Sequence, residues 1–457
     1  MKILKNIKIY VLLVLVTFTI GACDLTETNV DPASLTEDQL QLNLVLPSAE
    51  AHMAFNSGAL GARNPGIVMQ YFLGLEAQQQ QYSQYLFPRN AMDNMWRAGM
   101  YGGGMKDLMF IIEATSGEEG LNAPHYSGIA KIYMAESLGM LTTMFGDIPY
   151  SEAFQGADGN ISPAYDTQDE IFASIQTLLD EAISELSEDV AGTIAPAGDD
   201  VVFGGDADRW IATAYSLKAR YLLTEGNFPA ASAALANGIK SNAGSAVYPF
   251  EASVVGGNPL FSFGDFERPG TMAAHPTFVA KMASDPRRPL NLPGGSFVGG
   301  FWTSQASPLP LITYAEVKFM EAEIAAQGGA DVTATVRDAI RANMEYMGVP
   351  EEGINLYLLG ISNPNLATVM DEKYKAVYPN SRVAWSDYRR TGFPALSVPS
   401  NASTDFYSGP VNDVPARFIY PESEFLYNRQ NLEAASERQG FTAGGQEALD
   451  ISLSVFQ

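Results

Sequence analysis

Phe145-Gly146-Asp147-Ile148-Pro149-Tyr150-Ser151-Glu152-Ala153 is the stretch that decides how the chain folds. It closes a long segment with an apolar stripe at Tyr126, Ile129, Ala130, Tyr133, Met140, Leu141 and Met144, spaced for one face of a helix. Gly146 can turn the backbone without a Cβ penalty. Pro149 then blocks helix resumption and keeps Ile148 extended. Further on, Thr167 and Glu170 stand at capping-box spacing. They open a helix with Ile171, Phe172, Ile175, Leu178, Leu179, Ala182, Ile183 and Leu186 on one stripe. The pattern predicts a helix, a rigid exposed elbow and a second amphipathic helix, joined as one antiparallel unit.

Working outward, similar units recur. Thr36 and Gln39 have capping-box spacing ahead of Leu40, Leu42 and Leu44. Residues 94–112 have helical character despite glycines at 102, 103 and 104. Asp206 is placed to cap a helix whose inner face holds Trp210, Ile211, Ala214, Leu217, Tyr221 and Leu222, and Pro229 starts an alanine-rich partner ending near Lys240. Thr313 and Glu316 open another helix with Val317, Met320 and Ile324 inward, followed by a partner through Val336, Ile340, Met344 and Met347. A last pair spans 366–378, stopped by Pro379, and 382–390. Units of about thirty to forty residues resemble tetratricopeptide repeats, so the expected fold is mainly α, built of helical pairs. Residues 242–310 break this rhythm with Gly, Pro and scattered aromatics. They are expected to form a loop-rich insertion, which in a compact protein is more often functional than idle.

The N-terminus carries Lys2, Lys5 and Lys8, then an apolar run over residues 9–20, too short to span a bilayer but suited to a signal peptide. Ile20-Gly21-Ala22-Cys23 looks like a lipobox, so residues 1–22 are expected to be a lipoprotein signal peptide and Cys23 the lipidated residue. An ordinary signal peptide followed by a chance cysteine is the alternative. Residues 23–35 are expected to be a tether and 36–457 a single helical domain. Cys23 is the one cysteine, so no intramolecular disulfide can form. Without the leader lysines the chain keeps 52 acidic against 24 basic residues, a net charge of −28. Nucleic acid is thereby excluded as a natural partner, since phosphate binding needs a basic face.

Motifs for catalysis and metal binding do not emerge. His52, His125 and His275 are dispersed, and there is no His-Glu-x-x-His, Gly-x-Ser-x-Gly or Gly-x-x-x-x-Gly-Lys pattern. Asp199, Asp200, Asp206 and Asp208 lack EF-hand spacing and are better explained as caps and turns. Asp387 near Arg389 and Arg390 suggests a structural ion pair.

Several ordered stretches resemble the SusD/RagB family of nutrient-binding outer-membrane lipoproteins. They are the elbow with the Pro163-Ala164-Tyr165-Asp166 helix start, residues 199–223 with Ser216-Leu217-Lys218-Ala219-Arg220, Asp285-Pro286-Arg287, residues 310–326, Trp385-Ser386-Asp387-Tyr388-Arg389-Arg390-Thr391-Gly392-Phe393-Pro394, and residues 415–434. The resemblance is to the SusD-like branch. It implies a lipid-anchored, cell-surface protein of the outer membrane that captures glycan or peptide without a cofactor. It also implies a SusC-like TonB-dependent transporter that the protein covers as a lid. A helical lipoprotein glycosidase is the alternative, and would need two carboxylates about 5–10 Å apart in a cleft.

For the ligand site, Gly299-Gly300-Phe301-Trp302-Thr303-Ser304-Gln305 sets paired aromatics among flexible glycines and small polar residues. That combination suits a sugar platform. Trp302 and Phe301 are the leading candidates, although Trp302 equally fits a plug onto the core. Tyr82 and Tyr85, beside Gln78-Gln79-Gln80-Gln81, come second. Trp96 is a further candidate for which a core role competes.

Overall fold

The computed structural model describes residues 41–400, 402 and 413–457. The leader, Cys23, the 23–35 tether and the Thr36/Gln39 helix start lie outside the described residues. Leu42–Gln457 is one compact unit. In chain order its principal helices are α1 (Leu42–Gly58), α2 (Leu60–Val68), α3 (Ala77–Ser83), α4 (Met105–Ala114), α5 (Pro124–Phe145), α6 (Gln168–Leu186), α7 (Ala207–Thr224) and α8 (Phe228–Leu235). There follow α9 (Pro276–Lys281), α10 (Tyr314–Gln327), α11 (Thr333–Tyr346), α12 (Glu351–Leu359), α13 (Leu366–Ala376), α14 (Ser381–Thr391), α15 (Glu422–Tyr427) and α16 (Arg429–Arg438). Neighbours in sequence pack as antiparallel partners: α5 with α6, α7 with α8, and α10 with α11, while α13 packs on α10 and α14. The fold is mainly α, with tetratricopeptide-like helical pairs.

Local signals account for the helix starts. Thr167 and Glu170 form the reciprocal capping box, Asp206 accepts from the Arg209 N–H, Asn227 from Ala230, and Thr313 from Glu316. The α6 stripe is buried at Ile171, Phe172, Ile175, Leu178, Leu179, Ala182 and Leu186, while Ile183 is half-buried. The alanine-rich α8 stops at Leu235, short of the expected Lys240. One expectation needs correcting. Helix α5 does not have a single apolar stripe: every residue from His125 to Phe145 is buried. Helices flank it on several sides, so even Lys131 and Glu136 are interior and find partners there.

The elbow after α5 is held by the C-terminal segment. A helix leaves its last four carbonyls without intrahelical partners, and here all four are satisfied. Thr142 O accepts from the Gly146 N–H and Gln168 Nε2, Thr143 O from Arg389, Met144 O from the Phe418 N–H, and Phe145 O from Arg417. Two cations at a helix C-terminus also suit the macrodipole. Gly146 has φ of +89°, and a Cβ there would sit 2.1 Å from Gln439 Oε1, so no other residue fits this turn. Asp166 then receives the Tyr150 and Ser151 N–H groups, and Tyr101 donates to Pro149 O. The elbow is rigid for these reasons, but it is not exposed as expected: Gly146, Asp147, Ile148 and Pro149 are buried under the C-terminal segment, and only Ser151 and Glu152 are exposed.

Residues 242–310 are less irregular than their composition suggests. Antiparallel β2 (Ala246–Tyr248) pairs with β4 (Leu309–Ile312) across a bulge, and β1 (Phe72–Gly74) pairs with β3 (Met272–Ala274) in the register Phe72–Ala274. Short helices at Pro259–Phe261 and Ser262–Glu267 lie between them. Leu260, Phe263, Phe278, Phe297 and Trp302 from this segment enter the core.

Candidate functional site

The aromatic rings singled out in the sequence are inside the protein. Trp302 is 1 % exposed, stacked on Tyr346 with centroids 5.6 Å apart, and Phe301 meets its edge at 4.9 Å. Tyr82, 3 % exposed, stacks on Phe87, and Tyr85 is 1 % exposed with its hydroxyl directed at Val68 O. Trp96, 2 % exposed, gives its indole N–H to Glu424 and packs against Phe145, Tyr101 and Tyr420 beneath the elbow. A ring covered on both faces offers no platform for a sugar. Phe301 alone of the five keeps intermediate exposure. The structure therefore gives these rings a packing role and does not bring them together at one surface.

An exposed surface with ligand chemistry does form where α2, α3 and the Ser262–Glu267 π-helical turn meet. Asn258 caps the approach by accepting from the Leu260 and Phe261 N–H groups, and the Arg268 N–H closes the turn onto Phe263 O. Phe263 thereby points inward and Phe266 outward at 46 % exposure, braced edge-on by Phe261. From α2, the Arg63 guanidinium lies over the Phe263 ring, 3.8 Å from its centroid. Helix α3 packs tightly on β1 because Gly74 has no side chain; a Cβ there would fall 1.8 Å from Gln79 O. On α3 the pattern reverses the expectation, since Tyr82 is buried while Gln78, Gln80 and Gln81 are exposed. Gln78 and Tyr82 share one face at i, i+4.

The electrostatics of this seam are unusual. The Arg63 side chain makes no hydrogen bond or ion pair with any described residue, and its Nε is buried without a partner. Burial pulls its pKa down to about 10, against the opposing influence of Glu267 and Tyr82. Burial in turn raises the Tyr82 hydroxyl, with Arg63 acting the other way. The seam thus combines planar donors, amides able to donate and accept, and an exposed aromatic face, which together can hold hydroxylated or anionic groups. Sequence reading missed Phe266 and Arg63. The available signal was Asp265-Phe266-Glu267-Arg268-Pro269-Gly270, an aromatic among charges and turn formers.

The buried carboxylates do other work. Glu136 and Glu316 hold Arg220, and Glu136 also holds Arg382; Glu323 and Asp387 hold Lys373 and Arg390; Asp285 and Glu372 hold Arg287 and Lys375. Each of these is tied to a cation inside the helical stack. Glu50 and Asp200 are buried together without one and accept N–H groups instead, Glu50 from Val201 and Asp200 from Val202, Phe203, Gly205 and the Trp210 indole. Among the described residues no cluster of His, Cys, Asp and Glu could hold a metal ion, and no helix is long and apolar enough to cross a membrane.

A SusD-like family model, described as starch-binding and associating with the outer membrane, matches residues 39–297 and 296–421. No curated protein matches the chain. A SusD/RagB family protein from Bacteroides thetaiotaomicron is 20% identical with a TM-score of 0.75, over 91% of this chain and 99% of that one. A SusD homolog from Bacteroides fragilis is 20% identical with a TM-score of 0.70, over 90% and 100%. A chitin-binding SusD homolog from Flavobacterium johnsoniae is 20% identical with a TM-score of 0.68, over 90% and 98%. At such identities the likeness to these structures is one of fold.

Proposed function

The chain belongs to the SusD-like family, and from that premise we propose that it is a cell-surface glycan-binding lipoprotein serving a SusC-like TonB-dependent transporter. The family is starch-binding and associates with the outer membrane, and one structural neighbour binds chitin; both support an oligosaccharide ligand over a peptide. The observation that carries the reading is the Arg63–Phe266 seam, where an unpaired, half-buried guanidinium and an exposed aromatic face lie beside exposed glutamines. Binding is non-covalent and needs no cofactor. Cys23 anchors the protein through its acyl chains, and the rigid helical stack offers the transporter a preformed face of at least about 2,000 Å² in total.

The test is calorimetric titration of the full-length protein in detergent with maltohexaose, chitohexaose and oligogalacturonate. Binding of at least one is expected, with Phe266→Ala weakening it about tenfold, the worth of one stacked ring. Absence of binding by all, or release of reducing ends during the titration, overturns the reading. Pull-down in mild detergent is expected to recover a TonB-dependent transporter. Recovery of the protein alone argues for a free-standing role.

A further inference from the structure

We propose that Arg63 makes this seam selective for glycans bearing a carboxylate, the uronic acids, over neutral sugars. The inference rests on the glycan-binding reading above and specifies the ligand class. Its starting point is how the protein treats its other buried guanidinium groups. Arg220, Arg287, Arg382 and Arg390 each meet a carboxylate. Arg389 and Arg417 meet helix-terminal carbonyls. Arg382 and Arg417 also leave Nε without a partner, but their terminal nitrogens are bonded. Arg63 is different in that its whole side chain, stacked on Phe263 on one side, makes no bond to any described residue. Buried polar groups are normally paired, and charged ones most stringently. An unpaired guanidinium at the edge of an exposed seam therefore signals a missing partner.

The chemistry of that partner follows from the group. A guanidinium presents a planar fork of donors that matches a carboxylate in bidentate fashion, and stacking on an aromatic ring fixes the plane of the fork. A sugar hydroxyl supplies one acceptor without charge and leaves the desolvated cation uncompensated. The depressed pKa of Arg63, caused chiefly by burial, agrees with a cation lacking a counter-ion. Around it, the Tyr82 hydroxyl and the Gln78 amide can take ring hydroxyls, and Phe266 can take an apolar sugar face. Glu267 is the acidic group with most influence on Arg63, yet it stays outside ion-pair distance and is exposed. It would compete with an incoming carboxylate. The strong net negative charge of the chain opposes an acidic glycan at long range, but charges beyond about 8 Å are largely screened at physiological salt.

The experiment compares oligogalacturonate, maltohexaose and chitohexaose of equal length on full-length protein in detergent. Oligogalacturonate is expected to bind at least about tenfold more tightly than either neutral sugar, with affinity falling as salt rises. Arg63→Lys, which keeps the charge but loses the fork, is expected to weaken galacturonate about tenfold more than it weakens the neutral sugars. Glu267→Gln is expected to strengthen galacturonate binding about threefold, a gain that misfolding cannot produce, at an exposed position. Neutral sugars binding as tightly as galacturonate, or a Glu267→Gln variant with no gain, overturns this inference while the glycan-binding reading stands. Failure of all three sugars to bind overturns both.

Discussion

Replacing Trp302 by Ala separates a packing role from a binding one. The indole is almost wholly enclosed, with Tyr346 across one face and Phe301 at its edge, and its own carbonyl accepts from Asn258 Nδ2. Truncation leaves a void that the bracing Asn258 bonds, also made to Ser307 O, keep from collapsing. Such large-to-small changes in a core cost about 3–5 kcal/mol. For a body of about four hundred residues, an unfolding entropy of about 2.1 cal/mol/K per residue gives roughly 0.9 kcal/mol per degree. The expected fall in Tm is therefore about 3–6 °C, read by scanning calorimetry. Titration of the same sample should show glycan affinity within about twofold of wild type, because Trp302 lacks an exposed face. A Tm within about 1 °C of wild type together with a tenfold loss of affinity would refute the reasoning and return Trp302 to the ligand site.

Three further changes probe other parts of the molecule. Arg417→Met removes the donor to Phe145 O and Gln439 Oε1; a loss of about 1.5–3 kcal/mol is expected in chemical denaturation, with faster amide exchange at the end of α5. Glu50 is fully buried, accepts from the Val201 N–H, and has its pKa raised well above 4.5 by burial and then by Asp200. The folded state thus holds a proton that the unfolded state releases, so its contribution is present below about pH 4.5 and is lost as pH rises toward the folded-state pKa. Glu50→Gln, which can still donate to Asp200, should flatten that decline, and stability curves from pH 4.5 to 8 that superimpose on wild type would contradict it. Cys23→Ala should move the protein from the membrane to the soluble fraction, since stable anchoring needs two or more acyl chains; unchanged membrane association would count against lipidation.

What the sequence made legible was whatever its physics keeps local. The Thr167–Glu170 box and the Asp206 and Thr313 caps depend on residues a few positions apart, and the structure has each of them. The Gly146 turn was legible in the same way, but the Arg389, Arg417 and Phe418 groups that hold it were not. The aspartates at 199–208 are turn and cap groups, with Asp200 receiving the Val202, Phe203 and Gly205 N–H groups and Trp210 Nε1. Asp387 pairs with Arg390 as expected, but Arg389 turns instead to the carbonyls of Thr143 and Ala416. The side on which an aromatic ring lands is not local. Trp302 is buried because Tyr346, far along the chain, supplies its other wall, and nothing within residues 299–305 records that.

The same distinction explains where a ligand surface can arise. Within the helical stack, α5, α7, α10, α13 and α14 bring Glu136, Arg220, Glu316, Lys373, Glu323 and Asp387 together from distant positions, and these groups engage one another. A buried charge that already has its partner gains little by exchanging it for a sugar, because breaking the pair leaves the other charge uncompensated. The regular part of the molecule is thereby suited to rigidity and to docking. Phe266 stands on the π-helical turn Ser262–Glu267 and Arg63 reaches that turn from α2, where its guanidinium remains without a bond to any described residue. That unpaired group is why the proposed ligand is placed at the seam and not within the stack.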